Sequence, residues 1–307
     1  MAQPTPATFT MSITPFRSDG SIDEPALRTH LRFQAEAGVG VCLCSQGSGE
    51  GDLLSFDERL RVYEIGVDEL KGRVPVYAAG IGLAHSTDSI VALAKRACEI
   101  GVDALYILGP RPGALTPRAI EIETYYREII EATQCSVAIS NNSALAGYSF
   151  SADLIESLVA DYPHIIEVLI AENVGPLINQ VHRLAAKFGD AITIRVGMSS
   201  QSILAHAAGA RGILNFEANI APRLTESLWQ ALLSGDSERA LSRFALFVEL
   251  NLLCSRFGNP RVIKEALRLL GRDGGHLRRP HLPLDSGESA DLAAGLARLQ
   301  LQNIEQF

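Results

Sequence analysis

Three stretches of this chain repeat one pattern, and that pattern limits the fold more than any other feature. Residues 34–44 read QAEAGVGVCLC, residues 97–107 read ACEIGVDALYI, and residues 206–216 read HAAGARGILNF. Each is the end of a helix, then a glycine, then a short apolar strand. Gly38, Gly101 and Gly209 suit the left-handed position that closes a helix, which a side chain disfavours. A helix that turns tightly into a buried strand is the αβ half of a βα repeat. Extended along the chain, the pattern predicts eight strands, centred on Met11–Thr14, Val39–Ser45, Val74–Ala79, Ala104–Leu108, Val137–Ser140, Ile165–Ile170, Thr193–Gly197 and Gly212–Leu214. Short apolar runs of this kind are expected of parallel strands covered on both faces.

A helix is predicted after each strand. Asp23 with Pro25, Ser55 with Asp57 and Glu58, Thr116 with Pro117, and Ser151 with Asp153 are helix starts, and IVALAKRACEI carries an apolar stripe. Eight alternating units favour a closed (β/α)8 barrel, a TIM barrel of the α/β class. The runner-up is an open doubly wound sheet, which usually has fewer units and a glycine-rich phosphate turn not found here. The barrel is expected over residues 1–225. A C-terminal helical region, 226–307, follows as part of the same structural unit, with helices over Ser237–Cys254, Pro260–Leu270 and Asp291–Leu301 and a polar link at Gly271–Pro283. These helices are expected beside the barrel, where they help build a homodimer or homotetramer.

Composition removes several functions. The formal charge is −8, and Arg278-Arg279 is the nearest thing to a basic cluster, so nucleic acid is not an expected partner. No run approaches the roughly 18 apolar residues of a membrane span, and Met1–Thr10 lacks the pattern of a signal peptide. The cytoplasm is the default location. Cysteines fall at 42, 44, 98, 135 and 254; an odd count without tight spacing argues against a disulfide framework. Cys42 and Cys44 are read as small core residues on one face of one strand.

Barrel chemistry sits at the C-terminal strand ends. Strand two ends in Ser45-Gln46-Gly47-Ser48-Gly49-Glu50-Gly51, where close backbone N–H groups suit an anion. The others end in Gly80-Ile81-Gly82, Gly109-Pro110-Arg111-Pro112, Ser140-Asn141-Asn142-Ser143, Glu172-Asn173, Gly197-Met198-Ser199-Ser200, and Asn215, Glu217 and Asn219.

With these ends in order, the chain from about residue 8 to 285 resembles the dihydrodipicolinate synthase and N-acetylneuraminate lyase family. The resemblance rests on ITPFRSDGSIDEPAL at 13–27, GSGEGDLLSFDER at 47–59, GRVPVYAAGIG at 72–82, GARGILNFEANIAPRL at 209–224 and NPRVIKEAL at 259–267. It implies a barrel with C-terminal helices, a dimer or tetramer, and aldol-type chemistry through a pyruvate imine on a lysine. This chain departs from that pattern at the chemistry itself. The family lysine position falls on Leu169, or on Ile170 if the alignment slips by one. The family tyrosine position on strand five falls on Ser140, and the carboxylate-binding arginine position on Leu145. One hydroxyl of a threonine pair survives, as Ser48, and the proton-relaying tyrosine after strand four gives way to Arg111-Pro112. The four lysines are 71, 95, 187 and 264. None is expected at the barrel mouth, so an imine is not the expected chemistry.

Each candidate has two readings. Ser48, Gly49 and Glu50 form an anion cradle, or Glu50 simply holds its own loop. Arg111 grips a substrate carboxylate, or is a solvated loop residue. Glu50, Glu172 and Glu217 are the candidates to move protons. Glu172 and Glu217, with Asn173 and Asn215, could instead ligate a metal, but no strand-end histidine supports this; His85 is the nearest, and His30, His182 and His206 fall within helices. Asn141, Asn142 and Ser199 could bind ligand, or form turns. No metal and no cofactor is expected. Two functions follow: a lyase-like enzyme acting without an imine on a small oxo acid or sugar acid, or a non-catalytic barrel that binds such a ligand or supports assembly.

Overall fold

The computed structural model describes residues 6–83, 86–111 and 115–305. Eight parallel strands close in chain order into a barrel. The strands are β1 (Thr8–Met11), β2 (Gly40–Leu43), β3 (Val76–Leu83), β4 (Ala104–Pro110), β5 (Ser136–Asn142), β6 (Ile165–Ala171), β7 (Thr193–Val196) and β8 (Gly212–Asn215). Between and after them run α1 (Glu24–Glu36), α2 (Phe56–Leu70), α3 (Thr87–Ile100), α4 (Ala119–Glu131), the short α5 (Ser143–Ala146), α6 (Ala152–Asp161), α7 (Val174–Phe188) and α8 (Ser202–Ala208). The helices α9 (Pro222–Ser234), α10 (Ser237–Ser255), α11 (Arg261–Leu269), α12 (Ser286–Leu299) and α13 (Gln302–Glu305) follow β8. Among the described residues no helix is long and apolar enough to cross a membrane. The chain divides into two compact units, Met1–Val76 with Asn215–Phe307, and Tyr77–Leu214.

In the first unit, α1 starts where Asp23 accepts the Ala26 N–H, and α2 starts on a capping box between Ser55 and Glu58. The first strand lies three residues before its expected centre. Residues Ser12–Thr14 are buried, and the ladder gives out within them: the Ser12 N–H still donates to the Cys42 carbonyl at 3.1 Å, whereas the Ile13 N–H goes to Asn219 Oδ1 at 3.1 Å, and Asn219 donates to the Met11 carbonyl at 2.9 Å. Pro15 then ends any extension. The second strand stops at Leu43. Cys44 takes a left-handed φ of 58°, so it does not share a strand face with Cys42 as expected, although both are buried. The last long helix, α12, begins five residues earlier than predicted, on an Asp285–Glu288 capping box.

In the second unit, β3 runs through Gly80-Ile81-Gly82, which the sequence suggests as a strand end. The glycines carry the strand on through register shifts against β4. At Gly82 a Cβ would lie 2.4 Å from the Leu108 carbonyl oxygen, so only glycine fits. The cysteine reading needs one correction. Cys98 at the end of α3 is disulfide-bonded to Cys135 before β5, while Cys42, Cys44 and Cys254 are free. One bridge is not a framework, but a separation of 37 residues hid the pair.

Candidate functional site

The expected site residues fall in both units, and each unit is built differently. In the first, the Ser45–Gly51 loop is closed on itself. Gly49 N–H donates to Ser45 Oγ, Glu50 N–H to the Gly47 carbonyl and Gly51 N–H to the Ser45 carbonyl. The Gly49, Glu50 and Gly51 amides are therefore spent inside the loop. Ser48 is fully buried, and its hydroxyl accepts from Asn259 Nδ2 at 2.9 Å.

Glu50 is likewise occupied. It has a left-handed φ of 50° and is 1% exposed. One carboxylate oxygen takes Lys264 Nζ; the other takes the Arg278 N–H at 2.9 Å and faces His281 Nδ1 at 3.2 Å. Both Glu50 carboxylate oxygens are thus engaged and the group is almost wholly buried. Lys264 corrects the expectation that no buried lysine adjoins the strand ends. Burial pulls its pKa down to about 8, against the pull of Glu50. Its ammonium also donates to the Thr14 and His276 carbonyls at 2.9 and 2.7 Å, which completes its three donors.

After β8, Glu217 is buried and accepts from Asn251 on α10. Asn215 Oδ1 accepts the Ala218 N–H at 3.3 Å. Asn219 also meets His30 at 3.0 Å, and burial lowers the His30 pKa to about 4, so His30 packs as a neutral ring.

The second unit is richer. Ser140 on β5 pairs in register with Leu169 on β6, and Leu169 with Arg195 on β7, so the three side chains share one face of the sheet. Glu167 lies on that face two residues before Leu169. Its carboxylate pairs with Arg195 Nε at 2.7 Å and accepts from Tyr77 on β3 at 3.3 Å. Tyr77 and Glu167 come from strands that are not neighbours, so they can meet only on the concave inner face. Both charged groups are at most 1% exposed. Burial raises the Glu167 pKa, and Arg195 works against that rise. Sequence reading missed this pair. The signal was present: Glu167 interrupts IIEVLIA and Arg195 interrupts TIRVG, each the one charge in a buried strand.

Around Ser140 the polar groups continue. Tyr106 on β4 donates its hydroxyl to Ser140 Oγ at 2.9 Å. Glu172, just past β6, is 5% exposed; one oxygen accepts from Ser143 Oγ at 2.7 Å and the other, Oε1, has no partner among the described residues. Arg111 is exposed and donates to the Leu145 carbonyl at 3.3 Å. Asn141 and Asn142 are committed to structure: Asn141 donates to Phe150 O and Gln180 and accepts the Phe150 N–H, while Asn142 caps α5. Ser199 is buried in a 3₁₀ turn after β7. Leu169 is fully buried. His85 and Pro112 lie outside the described residues. Lys71, Lys95 and Lys187 are exposed, at or near the ends or on the outer sides of helices.

A parallel eight-stranded barrel with C-terminal helices and polar groups collected near its strand ends defines the class of protein. The chain belongs to the dihydrodipicolinate synthetase family, whose model matches residues 6–299. It is 33% identical over 291 residues to an uncharacterized DapA-like lyase of Halobacterium salinarum, covering 94% of this chain and 92% of that one. It is 31% identical over 283 residues to the 4-hydroxy-tetrahydrodipicolinate synthase of Pelobacter propionicus, covering 92% and 94%. Its fold matches, with a TM-score of 0.87 at 24% identity over 96% of this chain and 99% of the other, a prophage protein of the dihydrodipicolinic acid synthase family from E. coli K12, solved in complex with pyruvate.

Proposed function

We propose that this protein is a lyase-like enzyme that acts on a small oxo acid or sugar acid, breaking or forming a carbon–carbon or carbon–oxygen bond without a lysine imine. One observation carries the reading: three of the family positions that have lost their functional group are each approached by a substitute from the same unit. Tyr106 brings a phenol to Ser140, where the family has tyrosine. Arg111 brings a guanidinium to Leu145, where the family has arginine. Arg195 stands in register with Leu169, where the family has its lysine.

An imine serves such reactions as an electron sink. Without one, the electrons of the breaking bond flow to the carbonyl oxygen, and the resulting enolate needs donors and positive charge around it. Tyr106 and Ser140 supply hydroxyls, and Arg111 suits the carboxylate of the substrate. Glu172, with one oxygen unpartnered, is the group to take or return the proton. Arg195 and Glu167 form a fixed, buried charge pair on β7 and β6.

Two measurements test this. Borohydride reduction in the presence of pyruvate, followed by peptide mapping, is expected to leave all four lysines unmodified. An adduct on Lys264, the one buried amine, would overturn the imine-free mechanism. A turnover screen over oxo acids and sugar acids, with Glu172→Gln beside the parent, is expected to show kcat falling by about 10²-fold or more in the variant. The buried apolar Leu169 and the fully engaged Glu50 also suit a second reading, a non-catalytic barrel that binds such acids; saturable binding with no turnover of any ligand would favour it.

A further inference from the structure

The first unit holds a cleft of about 1040 Å³ between the loop before α1, one face of α11 and the segment that follows α11. It plays no part in the reaction proposed above. Its lining is strongly cationic in a chain whose net charge is −8. Six cationic side chains border it, Arg17, Arg261, Lys264, Arg268, Arg272 and Arg279, against three acidic ones, Asp23, Glu265 and Asp273. His276 and His281 border it as well.

Pairing does not cancel this excess. Arg268 meets Glu265 at 2.6 Å, Arg17 lies 3.9 Å from Asp23, and Lys264 is held by Glu50. Asp273 accepts the Gly275 N–H. Arg261, Arg272 and Arg279 have no carboxylate in ion-pair contact among the described residues; Arg272 lies over the Phe33 ring at 3.5 Å from its centroid. Among the described residues Arg261 and Arg279 have no carboxylate beside them, whereas Arg272 feels Glu36 and Glu305 without an ion-pair contact; like charges around one concavity repel each other, and a low-dielectric wall concentrates their field. A multiply charged anion relieves that repulsion, and guanidinium groups bind carboxylate and phosphate oxygens in pairs.

The cleft also backs onto the loop after β2. Lys264 and His281 each border it and each touch the Glu50 carboxylate. Glu50 holds its loop in a left-handed turn, and Ser48 lies two residues away. An anion drawn to His281, whose Nδ1 faces Glu50 at 3.2 Å, therefore acts on one of the side chains that fix Glu50, while Lys264 adds its charge from behind.

We propose that this cleft is a binding site for a compact anion of two or more negative charges, a polycarboxylate or phosphate compound, and that its occupancy steadies the Ser45–Gly51 loop. Calorimetric titration at constant ionic strength, with citrate and inorganic pyrophosphate as probes and acetate as control, tests the site. At least one probe is expected to bind saturably and more tightly than acetate, and to bind at least tenfold more weakly to the Arg261→Gln/Arg279→Gln double variant. The melting temperature of that variant without anion is expected to match the parent, which separates lost binding from lost folding. Preference for citrate assigns the site to polycarboxylates, and preference for pyrophosphate to phosphate compounds. No saturable binding of either probe, or equal binding by the double variant, would overturn the site. Hydrogen exchange in residues 45–51 is expected to slow with the bound probe in the parent; unchanged exchange at saturation would overturn the coupling.

Discussion

Replacing Arg195 by methionine isolates the buried charge pair. The side chain is fully buried, so methionine keeps much of its volume and removes the charge. Glu167 is then left on the inner face with Tyr77 but without its cation. Its pKa is already above the ordinary 4.5 because burial outweighs Arg195, and losing Arg195 raises it further. In the variant Glu167 takes a proton on folding. Holding that proton up to pH 7 costs at most about 3 kcal/mol, since each unit of pH above the ordinary pKa costs about 1.4 kcal/mol. Breaking a buried pair from one side costs about 3–5 kcal/mol in other proteins, so the two figures agree.

The sign of the pH dependence follows. The folded variant binds a proton that the unfolded chain has released above pH 4.5, so stability falls as pH rises. The loss in Arg195→Met relative to the parent is expected to grow as pH rises from 5 to 8, by less than about 3 kcal/mol, because Glu167 is already raised in the parent. Urea unfolding of both proteins at matched pH values measures it, and taking the difference cancels slopes from other groups. Adding Glu167→Leu to the variant is expected to recover most of the loss and to remove the slope. A loss that is the same at pH 5 and pH 8 would assign it to packing and refute the charge argument.

Other outcomes are expected elsewhere. Glu305 accepts the Arg223 and Leu224 N–H groups at the start of α9, yet burial raises its pKa to about 7. The folded state therefore keeps a proton that the unfolded chain loses, and stability falls as pH rises from 4.5 to about 7; thermal melts across that range should be flatter for Glu305→Gln. The Cys98–Cys135 bridge closes a 37-residue separation, so Cys98→Ser is expected to lower unfolding stability by up to about 4 kcal/mol, read by urea midpoint under non-reducing conditions. Light scattering is expected to give a dimer or tetramer mass, and a monomer mass would remove the proposed oligomer contact.

What the sequence made legible was local or periodic. Gly38, Gly101 and Gly209 adopt positive φ values of 75°, 94° and 117° because each must close a helix and turn into a strand within a few residues. Ser55 with Glu58 and Ser151 cap helices as read, because a cap needs only its own few residues. Where tertiary contacts decide, the reading drifted. The strand was expected to run on through residues 12–14, but Asn219, more than 200 positions later, takes the Ile13 N–H in place of a strand partner. Asn141 and Asn142 looked free because their partners, Phe150, Gln180 and Leu145, are set by the path of the chain after β5. Glu167 and Arg195 were overlooked for a different reason: attention to strand ends passes over the strand middles, where a charge is costly and hence informative.

Lys264 shows why position outweighs residue type. A count of lysines places it on a C-terminal helix, far in sequence from any strand. Folding buries it against the loop after β2, with a pKa of about 8, a value that suits an amine nucleophile. Its three donors are nonetheless all spent, on Glu50, Thr14 and His276. Freeing the amine for chemistry would leave the Glu50 carboxylate, 1% exposed, without its cation. In the proposed imine-free reaction, Glu50 and Lys264 therefore hold each other in place. On the proposed reading, the groups left to do chemistry are Glu172, with its unpartnered Oε1, and the exposed Arg111.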